Sequence, residues 1–330
     1  MKEKRTSLED IAKSIGVSKA TVSFVLNGKG DDFNISKEKQ RLIKEKAKEL
    51  QYVPNFFAKS LRQGSTKTIG LVLADISNPF YAELCKTIQE KLYKNGYNTL
   101  IVNTNEDKEL EKTLMRELIQ RSIDGMIISP ANQIEDLIPI LNETHIPVVF
   151  ADKPGDDNAD FVGVDNEKEA KKLIHSFSVK PKKVLVLTQH AEGISTIEKR
   201  IEGTKKACKA ENIDMKVLNL PESQTEINAL ILNELNNGVD SFLPLNNKVA
   251  FKTWAALKNN KVNIPSNARM ISFDDNEAFA YMDPTISALR QPIQHIGIES
   301  VDRILDRLKE TKIPGKHLYL TCEFIARESH

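Results

Sequence analysis

From Thr68 to Phe273 short apolar runs alternate with stretches of helical periodicity, and nothing else in the chain restricts its fold as tightly. Thr68–Asp75, Tyr97–Asn103, Gly125–Ser129, Ile146–Ala151, Phe161–Val164, Lys183–Thr188, Met215–Leu220, Ser241–Leu245 and Arg269–Phe273 read as strands. Helices are expected between them, at about 78–95, 107–122, 134–143, 167–177, 195–211, 225–237 and 247–259. A run that is apolar throughout suits a strand covered on both faces. Strands that alternate with helices build parallel sheets through right-handed crossovers. The expectation is therefore an α/β body of two similar lobes, each with a doubly wound parallel sheet of five or six strands. The helix Ile293–Lys309 and strands near Leu318–Ala326 are expected to cross back between the lobes.

Open parallel sheets bind ligands beyond the carboxyl ends of their strands. Polar residues stand there: Asp75, Ser77 and Asn78 after the first strand, Asp152 after the fourth, Asn246 and Asn247 after Phe242–Leu245, and Asp274 and Asp275 after Ile271–Phe273. Arg200 lies one or two turns into the helix after Thr188–Glu192. Carboxylates accept from vicinal hydroxyls, and Arg or Asn donates, so the set suits a hydroxyl-rich ligand. Taken singly, each Asp, Asn or Ser fits equally well as a helix cap; together, at corresponding sheet ends, they indicate a site. Trp254 has the chemistry of a sugar-stacking platform but lies well past a strand end, which favours packing.

The first sixty residues have another character. Ser7 is placed to cap a helix, with Asp10 three residues on. Leu8, Ile11, Ala12 and Ile15 form one apolar stripe, and Gly16 ends the helix where a left-handed residue is needed. Ser18 is placed to cap a second helix whose buried side is Val22, Val25 and Leu26. Two short helices joined by a sharp turn make a helix-turn-helix. An ordinary helical hairpin is the plainer alternative. Against it, the exposed face Ser18, Lys19, Ala20, Thr21, Ser23 is short, donor-rich and free of acid. Residues 1–67 also carry fifteen Lys/Arg against eight Asp/Glu, while the remainder carries thirty-two against thirty-eight, so a basic head sits on an acidic body. A basic head attracts polyanions. Pro54 closes that head, and Asn55–Arg62 has the length of two helical turns, too short to be stable alone in water.

These residues resemble the lactose-repressor (LacI/GalR) family of bacterial transcription regulators. The head carries the resemblance through Ile11-Ala-Lys, Gly16-Val-Ser, Thr21-Val-Ser, Val25-Leu-Asn-Gly28, Tyr52-Val-Pro-Asn55 and Ala58-Lys-Ser-Leu-Arg62. The body carries it through Asp75-Ile-Ser-Asn-Pro-Phe-Tyr-Ala-Glu83, Asp124-Gly-Met-Ile, Phe273-Asp-Asp-Asn276 and Arg290-Gln-Pro292, and is similar to the type I periplasmic-binding-protein fold. The resemblance implies that Lys19, Ala20 and Phe24 face base edges, while Ser18, Thr21, Ser23 and Asn27 hold phosphates. It implies a hinge helix on DNA that includes Asn55, Ala58 and Lys59, with Leu61 wedged into the minor groove. It also implies effector contacts from Asp152, Arg200, Asn246, Asp274 and Gln291, with Phe80 lining the cleft. Departures are informative. Phe24 stands where Arg or His is common, and it offers only a thymine methyl contact. The loop Lys29–Ser36 is acidic for a place beside phosphates, and Ile194 stands where purine-responsive members have Arg.

The domain expectation is a DNA-binding head at 1–53, a hinge and linker at 54–66, and an effector-binding, dimerising body at 67–330. Its lobes are placed at 67–157 with 293–316, and at 158–292 with 317–330. The function implied is a sequence-specific transcriptional repressor that binds a pseudo-palindromic double-stranded DNA operator as a homodimer under control of a small carbohydrate effector. Neither cofactor nor metal is expected: Cys85, Cys208 and Cys322 are far apart and match no metal spacing. The start Met-Lys-Glu-Lys-Arg-Thr lacks an apolar core, and no apolar run approaches ~18 residues, so a cytoplasmic setting without membrane contact is expected. An enzyme on a doubly wound fold is the first alternative, but Gly-x-Gly-x-x-Gly, Walker and Gly-x-Ser-x-Gly motifs are missing. A stand-alone transport-type binding protein is the second, and the basic head argues against it.

Overall fold

The computed structural model describes residues 6–54, 60, 64–131, 139–141, 146–155, 159–190, 192–310 and 314–330. The chain forms two compact units, 1–66 and 67–330.

The described bounds in the head are those of α1 (Leu8–Ile15), α2 (Lys19–Leu26) and α3 (Lys37–Glu49). The capping box forms as the sequence predicts: the Asp10 N–H donates to Ser7 Oγ at 3.2 Å, and the Ser7 N–H donates to Asp10 Oδ2 at 2.8 Å. Gly16 ends α1 at φ +69°, a conformation that costs a side-chain-bearing residue energy. Ser18 then accepts from the Thr21 N–H and starts α2. Ile11, Ala12, Val22, Val25, Ile43 and Ala47 form the buried core, edged by Leu8, Ile15, Leu26 and Tyr52. Ala12 and Ala47 keep the helices close enough for so small a core to shut. The hinge residues Asn55, Ala58, Lys59 and Leu61 lie outside the described residues, as does most of the helix expected at 134–143.

The body holds two six-stranded sheets. The first contains β1 (Thr68–Leu73), β2 (Asn98–Asn103), β3 (Gly125–Ile128), β4 (Val148–Ala151) and β5 (Asp160–Val164). The second contains β6 (Lys183–Thr188), β7 (Asp214–Asn219), β8 (Ser241–Pro244), β9 (Arg269–Phe273) and β10 (Ser287–Arg290). The tail adds β11 (His317–Leu320) to the first sheet and β12 (Glu323–Ile325) to the second. The strand orders, β11-β5-β4-β3-β1-β2 and β12-β10-β9-β8-β6-β7, correspond strand for strand. Every described pairing is parallel except that of β12 with β10. The α-helices of the body whose bounds are described are α4 (Pro79–Lys94), α5 (Lys108–Gln120), α6 (Asn166–His175), α7 (Ser195–Ala210), α8 (Gln224–Asn236), α9 (Asn247–Asn259) and α10 (Ile293–Lys309).

The expected lobe limits need correction. Phe161–Val164 and the strand from His317 belong to the first sheet, so the chain crosses after Val164, after Arg290 and after Leu320. An apolar run such as Phe161–Val164 suits either sheet. The choice is made by Asp160, whose carboxylate accepts from Arg307 Nε at 2.7 Å and from the Lys316 N–H at 2.9 Å, tying β5 to α10 and to the start of β11. Strand β10 is a further element that the apolar pattern alone does not separate from its surroundings. Cys85, Cys208 and Cys322 are free, buried thiols.

One buried acid gives the body a pH dependence. Glu111 on α5 is 2 % exposed and accepts from the Ala131 N–H at 2.8 Å. Burial raises its carboxyl from 4.5 to about 7, against the opposing pull of that hydrogen bond and of Lys153. Because the folded chain holds this proton more tightly than the unfolded chain, the contribution of Glu111 to stability is full below pH ~4.5 and declines as pH rises towards 7. Once the group is ionised the loss is about 3 kcal/mol. Glu111→Gln keeps the acceptor and removes the ionisation. It is expected to raise the unfolding midpoint in urea at pH 8 and leave it unchanged at pH 4.5.

Candidate functional site

The carboxyl ends of both sheets face one cavity of about 70 Å³ between the lobes. Asp152 and Asp274 occupy equivalent places there, after β4 and β9, and both have φ +68°. That left-handed turn, tolerated by Asp better than by most residues, rotates each carboxylate off its strand axis. Asp274 accepts from Gln291 Nε2 at 2.6 Å and from an Arg200 guanidinium nitrogen at 3.3 Å. Arg200 also donates to the Leu245 carbonyl at 2.7 Å and to Asn166 Oδ1 at 2.8 Å, and its guanidinium carbon stands over the Phe273 ring, 3.7 Å from the centroid. Tyr81 donates its hydroxyl to Asp152 at 2.8 Å. Lys153 and Glu106 close the wall with an ion pair at 2.7 Å.

Burial raises the Asp152 carboxyl, opposed by Lys153 and Arg200, and raises Glu106, opposed mainly by Lys153. Burial together with the Asp152 charge keeps the Tyr81 phenol well above its usual range, so it remains a donor. Gln291 Oε1 and Asn247 Oδ1 are buried and accept no hydrogen bond. Ile194, the residue before α7, provides no side-chain cap for the helix, and Ile194, Thr196 and Ile197 line the cavity.

All six residues predicted for the effector (Phe80, Asp152, Arg200, Asn246, Asp274, Gln291) line this cavity. Arg200 reaches it because α7 crosses α6 closely at Gly203. A Cβ there would stand 2.1 Å from the Glu167 carbonyl oxygen, so Gly203→Ala must push the helices apart. The Arg200–Asn166 bond spans that crossing. Gly203→Ala is expected to lower the melting temperature and weaken ligand binding together, as calorimetry would register.

Asp275 turns away, held by Arg290 at 2.7 Å and Arg327 at 2.8 Å in an adjacent hollow of about 750 Å³. That larger hollow lacks both strand-end carboxylates of the smaller cavity. Trp254 packs against the second-lobe core, as its position suggested. His190 pairs with Glu222 at the surface. At the mouth of the cleft, Lys248 of one lobe bonds Asp75 and, at 2.9 Å, Ser77 Oγ of the other, while Asn247 donates to Asn78 at 3.2 Å.

In the head, Ser18, Lys19, Ala20 and Asn27 are exposed, and Thr21, Ser23 and Phe24 are half-buried. Ser18 and Thr21 share a hydroxyl bond at 2.8 Å, and Asn27 donates to the Ser23 carbonyl at 2.6 Å. The surface of α2 therefore presents small hydroxyls and one cation along a single stripe.

Residues 66–328 match the family model described as periplasmic binding proteins and sugar binding domain of the LacI family. Residues 7–55 match that of bacterial regulatory proteins of the lacI family. The chain belongs to the LacI family. It is thus a DNA-binding transcriptional regulator with an effector-binding body. It is 28 % identical to the HTH-type transcriptional regulator KdgR of Bacillus subtilis, covering 98 % of this chain and 97 % of the relative. The ribose operon repressor of Lactobacillus acidophilus is 26 % identical, with TM-score 0.69 over 80 % of this chain and 98 % of that one. The lac repressor dimer bound to operator and the anti-inducer ONPF shares the fold at TM-score 0.85 and 20 % identity, over 99 % of each chain. No described helix is long and apolar enough to cross a membrane.

Around this LacI-family cleft, Tyr81, Glu106, Lys153 and Thr196 line the cavity and Asn166 holds Arg200 from beside it, and the strand-end reading named none of them. The signal existed for three of them: Glu106 follows β2, Lys153 follows β4 and Asn166 follows β5 by a few residues each. Tyr81 is legible only from the fold, since it lies on α4 with its hydroxyl directed at Asp152.

Proposed function

We propose that this regulator senses a neutral, polyhydroxylated sugar held between its lobes, and that the sugar alters the grip of paired heads on a pseudo-palindromic operator. The supporting observation is the pair Asp152 and Asp274, matched carboxylates from the two lobes that face the same space. Carboxylates are acceptors for the vicinal hydroxyls of a sugar, while Arg200, Lys153 and the uncapped first turn of α7 supply donors. Three carboxylates, Glu106, Asp152 and Asp274, stand against two cations in the cavity lining, which disfavours an acidic or phosphorylated ligand. Binding, not turnover, suits this set, because its charged groups are already bonded to one another. The ribose operon repressor among the relatives accords with a sugar. A cytoplasmic homodimer, with α2 of each head in the major groove, is the form in which such a protein meets DNA.

A cavity of about 70 Å³ holds roughly two waters, so a sugar enters only as the lobes part, and reclosure couples binding to lobe arrangement. The Lys248–Asp75 bond joins the lobes at the mouth. As Lys248 is 45 % exposed and Asp75 28 %, its contribution lies within the surface range of about 0.2–1 kcal/mol. Lys248→Ala is therefore expected to weaken effector binding by up to about fivefold, measured by titration calorimetry. The effector class is tested by thermal shift with neutral pentoses and hexoses, their aldonic acids and their phosphates. Stabilisation by a neutral sugar supports the proposal. Stabilisation by acids or phosphates alone overturns it.

A further inference from the structure

The loop after α2 carries an aromatic residue that the helix-turn-helix itself does not require. Phe33 stacks on Phe24 of α2, with ring centroids 3.6 Å apart and planes 12° from parallel, yet it remains 51 % exposed. Phe24 lies one turn beyond Ala20 and one turn before Asn27, on the stripe of α2 read above as the DNA-facing surface. Phe33 thus extends that stripe from outside the helix.

Its position is held by the loop. The Lys29 N–H donates to the Phe24 carbonyl at 2.8 Å, the Phe33 N–H to the Lys29 carbonyl at 3.3 Å, and the Ile35 N–H to the Gly30 carbonyl at 2.9 Å. Asp31, whose charge would repel a phosphate backbone, is turned back onto Lys37 at 2.7 Å and Gln40 at 2.8 Å. Burying an aromatic pair in the head core would explain the stack, but the core of the head closes without either ring. What remains is a preordered apolar platform beside the base-reading helix. In the major groove the apolar feature is the thymine C5-methyl.

We propose that Phe33 and Phe24 act as one apolar reader of thymine methyl groups, which makes Phe33 a specificity-determining residue supplied by the loop rather than the helix. The proposal rests on the DNA-binding role of the head and adds a base class to it. The test uses the full-length protein and an operator selected from random duplex. Each thymine is replaced in turn by deoxyuridine, which lacks only the methyl. At one or two positions the replacement is expected to weaken wild-type binding by about three- to tenfold. Phe33→Ala should bind the thymine operator about that much more weakly and be indifferent to the same replacements, while Phe33→Leu, which keeps apolar surface, should retain part of the sensitivity. A head melting temperature unchanged by Phe33→Ala separates this from loss of folding. Overturning results are a Phe33→Ala protein with wild-type sensitivity to every deoxyuridine, or a wild-type protein indifferent to all of them. If the wild-type protein selects no preferred duplex at all, the DNA-facing assignment of α2 fails first.

Discussion

Asp274→Asn is expected to raise the effector concentration needed for a response by about 100-fold or more, while operator affinity without effector stays within twofold. The Asp274 carboxylate is one of the two matched acceptors in the cleft, and each charge-assisted bond it accepts from a sugar hydroxyl is worth about 1.5–3 kcal/mol. Asn is nearly isosteric and keeps an oxygen for Arg200. Its amide can donate to Gln291 Oε1 once that side chain flips, since this oxygen has no donor in the folded protein. Geometry should survive and ligand binding should not. Asp274→Ala tests something else. It leaves the Arg200 guanidinium, 5 % exposed, facing a void without its counter-charge. Breaking such a buried pair costs about 3–5 kcal/mol, or roughly ten degrees in melting temperature for a body of this size. The two variants therefore separate recognition from stability. Calorimetry and operator anisotropy with increasing effector would measure both, and an Asn variant that responds at the wild-type concentration would remove Asp274 from the site.

Ile11→Ala should abolish specific DNA binding without touching the effector. Ile11 is fully buried in a head whose core has six buried apolar side chains among the described residues. Truncating a buried Ile to Ala costs about 2–5 kcal/mol. A three-helix unit of some fifty residues has about that much stability in total. The head is thus expected to unfold at 25 °C, dropping operator affinity to the non-specific level, about a thousandfold or more lower. Because residues 1–66 and 67–330 are separate compact units, the main melting transition and the effector affinity of the body should be unchanged. An Ile11→Ala protein that still protects its operator would mean that the head core is not what holds α2 in its reading position.

Much of this was legible along the chain because the signals are local. Ser7 with Asp10, Gly16 and Ser18 set the ends of α1 and α2 by capping chemistry that needs no distant partner. The continuous apolar run Thr68–Leu73 announces a strand covered on both faces, and all six of its residues are buried. Of the residues proposed for the effector, Asp152, Asn246 and Asp274 were readable because parallel sheets place ligands at strand ends, and a polar residue just after an apolar strand marks such an end, whereas Phe80 and Gln291 followed from the family resemblance alone. Glu106 and Asn166 follow the same rule at a slightly greater distance from their strands. Tyr81 follows no strand: its neighbour Phe80 shares its helix and its burial, and only the approach of α4 to β4 distinguishes a phenol bonded to Asp152 from a core aromatic.

What the sequence determined alone is the type and order of the elements, the division of a basic helical head from an α/β body, and the candidate side chains of the cleft. Those follow from periodicity, capping and charge, which act over a few residues. Tertiary structure decided which sheet each strand joins, as with Phe161–Val164 and the strand from His317. It also decided that Asp152 and Asp274 face one another's space while Asp275 turns to Arg327, and that Phe33 lies on Phe24. Each of these is a contact between distant parts of the chain, chosen by the packing of whole lobes or helices. Apolar strands and exposed aromatics carry no label naming their partners until the surrounding volume is filled.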